Sequence, residues 1–469
     1  MILLRGLFPL IAIYGIGSLI LWVTFGRRPG LQQILSLAFG CGTGVLSLLM
    51  FYLASWRVPL DRRMLGWLLG IALSSAVIAI FLIPANPNGF LGNDRAEKPW
   101  SRQEIGLFLL LGIAFLLVLA DALSQPLLGF DSRAIWGMKA KILYEQQSIY
   151  TEDFFDPERL HAKNQYPLLI PLTEDWMYQL SGSSKDRIAK MIFPFFYLSL
   201  LAIAFEGLSL SLSRRASLWG TLLMAVVPAF LVYRNGGVAS GYSDVPLTYF
   251  STASTVLFYR WMRRPSNRDL VIAGLCGVGA VFTKNEGLPL MALSGMAFLG
   301  VTRWTKTPSM ISRIKALLIT LLGMVFCLLP WFLYRSRLPI TDENFEKLLS
   351  IPRLLSGLNR VPIILLRLGQ EYFLKPQVWG VLGILLLFAL TERVRRRSLE
   401  LEDVFLLIPF LETLLFIAIL VVTPWQLQEL LPVVLTRLVM HTMPLAVLWM
   451  CLVPPWREFF ASRPDTHPR

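Results

Sequence analysis

Charge is scarce in this chain. Asp, Glu, Lys and Arg make up 16% of its 469 residues, and hydrophobic residues make up 55%. Soluble domains carry about 25% charged residues, so a chain this apolar cannot cover itself with polar surface in water. Its length would suit about three soluble domains. The composition instead requires an integral membrane protein, and excludes a cytosolic nucleotide-binding enzyme, a secreted disulfide scaffold and a disordered protein. Cysteine is scarce too. Cys41, Cys276, Cys327 and Cys451 all fall inside apolar runs, none in a C-x-x-C, and read as small hydrophobes. Three histidines without an H-E-x-x-H leave no basis for a zinc hydrolase. Internal repeats, low-complexity tracts and barrel-like strand alternation are also missing. The first apolar run lacks a clear small-residue cleavage site and reads as an anchor.

Apolar runs are what the chain has in excess. A helical span needs about 20 mostly apolar residues, and backbone polar groups in lipid must be satisfied internally. Candidate spans fall near 7–25, 31–53, 64–84, 104–122, 191–212, 216–233, 244–261, 270–283, 287–302, 316–335, 377–391, 403–422 and 437–454. The expectation is an all-α, polytopic membrane protein with about thirteen transmembrane helices. The pair around 270–302 is short enough to be tilted or broken.

The formal net charge is +14. In a soluble protein this would suggest nucleic acid. Here it lies in short loops, where it sets orientation, and no nucleic-acid partner is expected. Arg214–Arg215, Arg260–Arg268, Arg303–Lys315, Arg393–Arg397 and Arg457–Arg469 follow alternate spans and share one parity, as do Arg95, Lys98 and Arg102. Under the positive-inside rule these loops are cytoplasmic. Arg57, Arg62 and Arg63 break the pattern and fall outside. The other parity holds the long loops, 123–190 and 336–376, with short connections near 234–243, 284–286 and 423–436. Residues 1–103 therefore read as an N-terminal extension of three spans, and 104–469 as the main transmembrane domain carrying both long outer loops.

Two outer segments look interfacial. Over 133–147, Ile135, Met138, Ile142 and Leu143 share one helical face, with Lys139 and Lys141 away from it. Over 345–358, Phe345, Leu348, Leu349 and Leu355 oppose Glu346, Lys347 and Arg353. Both suit the headgroup plane or an ordinary packed amphipathic helix.

With this topology the unusual polar residues collect at the outer level. Asp131 follows the fourth span and Asp244 opens the seventh. Lys284, Asn285 and Glu286 form the turn between the eighth and ninth. Arg335 and Arg337 end the tenth, and Trp425, Gln428, Glu429, Arg437 and His441 flank the start of the last. Charges at membrane depth are costly and face a wet cavity or a partner, so one outward-facing polar pocket accounts for them together. Simpler roles compete. Asp131 and Asp244 could be helix N-caps, and Lys284 and Glu286 could pair with each other. Arg437 and His441, spaced i, i+4, share a helix face suited to phosphate. Glu206 and Glu412 lie deeper, where helix partners are a better explanation than a proton relay. The acidic stretch from Glu152 to Asp156 could bind a divalent cation, although Asp156-Pro157 suits a solvated turn.

The run Gly129-Phe130-Asp131-Ser132-Arg133-Ala134-Ile135-Trp136-Gly137-Met138-Lys139-Ala140-Lys141, then His161 and Tyr166-Pro167-Leu168-Leu169-Ile170-Pro171-Leu172, resembles the first outer loop of bacterial GT-C membrane glycosyltransferases. These are similar to the dolichyl-phosphate-mannose protein mannosyltransferases and the aminoarabinose transferases. Gly241–Pro246 and Thr283–Gly287 fit the same pattern. The resemblance covers residues 104–300 best and the outer side loosely to about residue 445. It departs from the family in placing three spans before the large loop, and in having Asp131-Ser132 where many relatives carry two adjacent acids.

The resemblance implies a GT-C-like enzyme of a bacterial inner membrane with its active site facing outward. It would move a sugar from a polyprenyl phosphate to a glycan, lipid or protein acceptor. The catalytic candidates are Asp131, alone or with Asp244. Substrate and donor-phosphate candidates are Lys284, Glu286, Arg335, Arg337, Arg437, His441, Lys139, His161 and Tyr166, and Trp136, Tyr166 and Trp425 could stack on sugar faces. No metal ligand or cofactor is assigned, and a divalent cation stays open. The alternatives are a polyprenyl-diphosphate glycan polymerase or ligase, and a lipid-linked sugar flippase or transporter.

Overall fold

The computed structural model describes residues 2–82, 99–156, 158, 163–301, 308–340, 349–396 and 400–461. Among them all regular structure is helical. The main helices are α1 (Ile2–Phe25), α2 (Phe39–Ser55), α3 (Arg62–Leu82), α4 (Arg102–Ser124), α5 (Met138–Gln146), α6 (Leu169–Ser181), α7 (Ile192–Ser209), α8 (Arg214–Ala225), α9 (Asp244–Arg263), α10 (Asn267–Thr283), α11 (Gly287–Gly300), α12 (Met310–Arg335), α13 (Val361–Phe373), α14 (Leu382–Arg396), α15 (Val404–Val422) and α16 (Leu427–Leu452). Helix starts carry their own polar signals. Ser101 and Glu104 form a reciprocal capping box before α4, and Ser213 and Ser309 each accept an N–H of the following turn.

Helical segments fall within each expected span among the described residues, some of them interrupted. Among the described residues, seven stretches are long and apolar enough to cross a membrane: Leu4–Phe25, Leu31–Ser55, Arg102–Ser124, Asp186–Ser209, Met310–Arg335, Leu401–Val422 and Leu427–Leu452. The chain is a helical, multi-pass membrane protein. The outer faces of α4 and α12 are openly apolar, with Leu117 61% and Phe326 80% exposed, as lipid-facing helices must be.

Helix α9 lies at the centre, against α7, α10 and α16. It is buried along nearly its whole length despite Thr248, Ser251, Thr252, Ser254 and Thr255. Thr248 donates to the Asp244 carbonyl at 2.8 Å, and Ser254 to the Ala273 carbonyl of α10 at 3.0 Å. Such hydroxyls are tolerated inside a bundle by bonding to carbonyls, and small side chains let helices approach closely.

The structure departs from the sequence expectation in four places. The sixth expected span stops at Ala225 and restarts as Pro228–Leu231, because Pro228 cannot supply an N–H to the preceding turn. The last helix begins at Leu427 rather than 437, so Arg437 and His441 sit inside α16 rather than at its start. The outer loop 123–190 contains α6, which is buried from Leu169 to Gln179 and closed by Gly182 at φ +64°. The outer loop 336–376 contains α13 and the short helix Ile351–Ser356.

The two amphipathic segments have different outcomes. Residues 132–137 wind as a π-helical turn. Lys139, four residues from both Ile135 and Leu143, shares their face and lies with them in the interior. The segment is a packed helix against α6. In the second, residues 345–348 lie outside the described residues, and Ile351–Ser356 buries none of its side chains.

The molecule has two chemically distinct ends. At the basic end, Arg214 pairs with Glu104 at 2.9 Å and Arg263 with Glu402 at 3.3 Å. Arg260 pairs with Glu206 and Asp269, and Arg393 with Asp403. Glu206, raised above as a deep carboxylate, is therefore an ion-pair partner that also accepts from Ser36 at 3.0 Å. Arg57, Arg62 and Arg63 sit at the opposite end. Leu60 N–H donates to the Gln147 carbonyl at 2.8 Å, Arg62 donates to the Leu180 carbonyl at 3.3 Å, and Arg57 stacks 5.0 Å from the Tyr150 ring. The basic loop that broke the parity rule thus belongs with the large loop 123–190.

Candidate functional site

The site forms where the segment after α4 meets the start of α9. Two glycines allow the contact. A Cβ on Gly129 would lie 2.4 Å from the Tyr242 ring, and one on Gly241 would lie 2.3 Å from a Leu127 methyl. Gly241 also has φ +79°, a conformation that favours glycine. Neither aspartate is a cap. Asp131 already has helical φ and ψ and makes no side-chain cap bond. Asp244 follows Ser243 as the first residue of α9. Both carboxylates are left for other partners.

Those partners come from distant parts of the chain. Arg437 donates from Nη1 to Asp131 Oδ2 at 2.7 Å, and from Nε to Asp244 Oδ2 at 3.0 Å, with Nη2 also 3.0 Å from that oxygen. His441, one turn along α16, places Nε2 2.8 Å from Asp244 Oδ1. Lys284 donates to the same oxygen at 3.1 Å and lies 2.9 Å from Glu286 Oε1. Since a carboxylate only accepts, His441 carries its proton on Nε2. Tyr242 presents its ring 4.7 Å from the Arg437 guanidinium, within cation–π range. Six candidates, Asp131, Asp244, Lys284, Glu286, Arg437 and His441, thus share one network.

The two aspartates differ in access. The side chain of Asp244 has no exposed surface, and three donor side chains surround it. Asp131 is 23% exposed. Burial pulls Lys284 down, but Asp244 and Glu286 outweigh it and hold its ammonium above the usual lysine range. Burial raises Glu286, but Lys284 outweighs it and holds the carboxyl below its ordinary value.

Other candidates stand apart. Lys139 is buried and donates to the Lys163 carbonyl at 2.7 Å, with the Asn164 and Tyr166 carbonyls at 3.5 Å. It braces the loop rather than reaching the network. Tyr166 packs edge-on against buried Trp136, ring centroids 5.5 Å apart. Arg335 is half-buried and Arg337 exposed at the end of α12, and Trp425 is 56% exposed. His161 lies outside the described residues. The stretch from Glu152 begins with the short helix Glu152–Phe155, and Asp156 accepts the Glu158 N–H at 2.9 Å. Among the described residues, no group of three or more His, Cys, Asp or Glu side chains is placed to hold a metal ion.

Sequence reasoning missed three features. Tyr242 lay inside the Gly241–Pro246 motif, and its aromatic ring beside an acid was the available signal. Glu174 and Asp175 lie on α6 with all four carboxylate oxygens buried and unpartnered; burial pushes both carboxyls well above their usual range. Glu371, on α13, accepts from Thr436 at 2.6 Å and Trp379 at 3.1 Å. No pattern in the surrounding sequence marks these acids as buried.

No protein-family model matches this chain, and no curated protein matches it.

Proposed function

We propose that this protein is a membrane glycosyltransferase that takes a sugar from a polyprenyl phosphate, at the face opposite its basic end. The observation that carries this reading is the convergence of Asp131, Asp244, Lys284, Glu286, Arg437 and His441, with two carboxylates of the set, Asp131 and Glu286, partly open to solvent. Under the positive-inside rule that face is extracytoplasmic, and the bacterial inner membrane follows from the resemblance. The GT-C-like architecture and thirteen spans belong to the same proposal. In support of the span count, α9 runs from Asp244 to the ion pairs of Arg260 and Arg263, and its 20 residues give about 30 Å of rise.

Asp131 is the base. It accepts the proton of an acceptor hydroxyl as that oxygen attacks C1 of the sugar. The C1–O bond to the phosphate breaks, polyprenyl phosphate leaves with the electron pair, and the configuration at C1 inverts. Arg437 and Lys284 stabilise the charge that grows on the departing phosphate. Asp244 orients both cations and does not transfer a proton. Glu206 and Glu412 are the best support for a transporter. Glu206 is engaged by Arg260 and Ser36, which favours the enzyme, while Glu412 is buried with its Oε2 unpartnered.

The test is transfer by the purified protein in lipid from a panel of polyprenyl-phosphate sugars, following lipid and glycan products. Wild type should release polyprenyl monophosphate, and Asp131→Asn should stay folded and inserted while losing transfer. Full transfer by that variant would remove Asp131 as the base. Release of a diphosphate lipid would favour a polymerase or ligase.

A further inference from the structure

The positive charge of the resting network is fully engaged. Arg437 bridges Asp244 and Asp131, and Lys284 lies between Asp244 and Glu286. Two fixed cations face three carboxylates. An anionic headgroup that reaches this network finds no spare cation among these groups, and charge removed from water without a partner is costly. At least one resident ion pair must open to admit it.

The pairs differ in how readily they open. Asp244 has no exposed side-chain surface and is held from three sides. Asp131 and Glu286 are similarly exposed, at 23% and 24%. Asp131, however, meets only the outer guanidinium nitrogen, Nη1, of an arginine whose other nitrogens stay anchored on Asp244, whereas Glu286 meets the single ammonium of Lys284. If Asp131 withdrew, Asp244 would still hold Nε and Nη2, and the Tyr242 ring would still flank the guanidinium. Arg437 would keep its place and present Nη1 to whatever replaced the carboxylate.

We propose that Asp131 is an internal stand-in for the ligand's phosphate: the phosphodiester of the sugar donor, and the monoester left after transfer, bind by replacing the Asp131 carboxylate on Arg437 Nη1. The displaced carboxylate is then free beside the bound ester. This rests on the phosphate-ligand reading above and adds to it that the resting site is closed by its own base. A competing internal group lowers apparent affinity by the fraction of time it occupies the site. Removing its charge should therefore tighten binding while abolishing turnover, a combination that an ordinary binding residue does not produce.

The experiment measures affinity for a polyprenyl monophosphate, with inorganic phosphate in parallel, using the full chain in lipid nanodiscs. Wild type, Asp131→Asn, Asp131→Ala and Arg437→Gln are compared, and size-exclusion profiles report folding. Asp131→Asn and Asp131→Ala should each bind the lipid about tenfold tighter than wild type, and Arg437→Gln should lose binding. Tightening with inorganic phosphate as well supports exchange at the phosphate alone, whereas tightening with the lipid only assigns the ester as ligand. Equal or weaker binding by the folded Asp131 variants, when wild type binds, overturns the exchange and leaves the transferase reading standing. No binding by wild type or any variant overturns both.

Discussion

Replacing Asp244 by Asn offers the sharpest test of the network. Asp244 is completely buried and receives Arg437 at 3.0 Å, His441 at 2.8 Å and Lys284 at 3.1 Å. Asparagine has nearly the same shape but no charge, and its NH2 group turns two donors toward groups that are themselves donors. Removing one partner of a buried ion pair costs about 3–5 kcal/mol. Asp131 and Glu286 still pair with the two cations, which places the expected loss at the low end, about 3 kcal/mol. Asp131→Asn breaks one charge-assisted bond at a partly exposed carboxylate and should cost about 1 kcal/mol. Thermal unfolding in one detergent, with both variants side by side, reads the difference. Asp244→Asn should melt clearly below Asp131→Asn, which should melt near wild type. Adding Lys284→Met to Asp244→Asn should recover part of the loss, since residues sharing a network couple by about 0.5–3 kcal/mol. Equal melting of the two single variants, or strictly additive losses in the double variant, would refute the view that Asp244 organises the buried charge.

Two further outcomes follow from the same geometry. Glu286 is held below its ordinary value, so its stabilising contribution is complete above about pH 4.3 and is lost as pH falls through the lowered value. Lys284 is held above its ordinary value, so its contribution is complete below about pH 10.4 and is lost as pH rises through the raised value. Acid melting curves of Glu286→Gln should therefore be shallower than those of wild type, and a wild-type profile as shallow as the variant's would contradict the pairing. Gly241→Ala should destabilise the site, because its Cβ would meet Leu127 at 2.3 Å and its φ is +79°. A loss of more than about 1 kcal/mol is expected, and an unchanged melting temperature would show that the two segments do not meet there.

The membrane class was legible from composition, because about 20 apolar residues in a row have few stable solutions except a lipid-spanning helix. The two ends were legible from the loops, because basic residues recur with one parity. Six site residues could be picked out because ionic groups at membrane depth must have a partner. Their partners were less visible. Sequence patterns report on neighbours three or four residues apart, so the shared face of Arg437 and His441 could be read. The meeting of Asp131 with Arg437, or of Asp244 with Lys284, depends on how α9, α10 and α16 pack. Lys139 illustrates a different limit: its i, i+4 spacing from Ile135 and Leu143 puts it on their buried face, where a lone lysine was not expected.

The chain alone therefore determined that this is a helical membrane protein and which polar groups had to find company inside it, since both follow from the cost of taking charge and backbone out of water. Which carboxylate became the enclosed organiser and which stayed within reach of solvent was decided only by tertiary structure. Exposure is set by neighbours that arrive from elsewhere in the sequence.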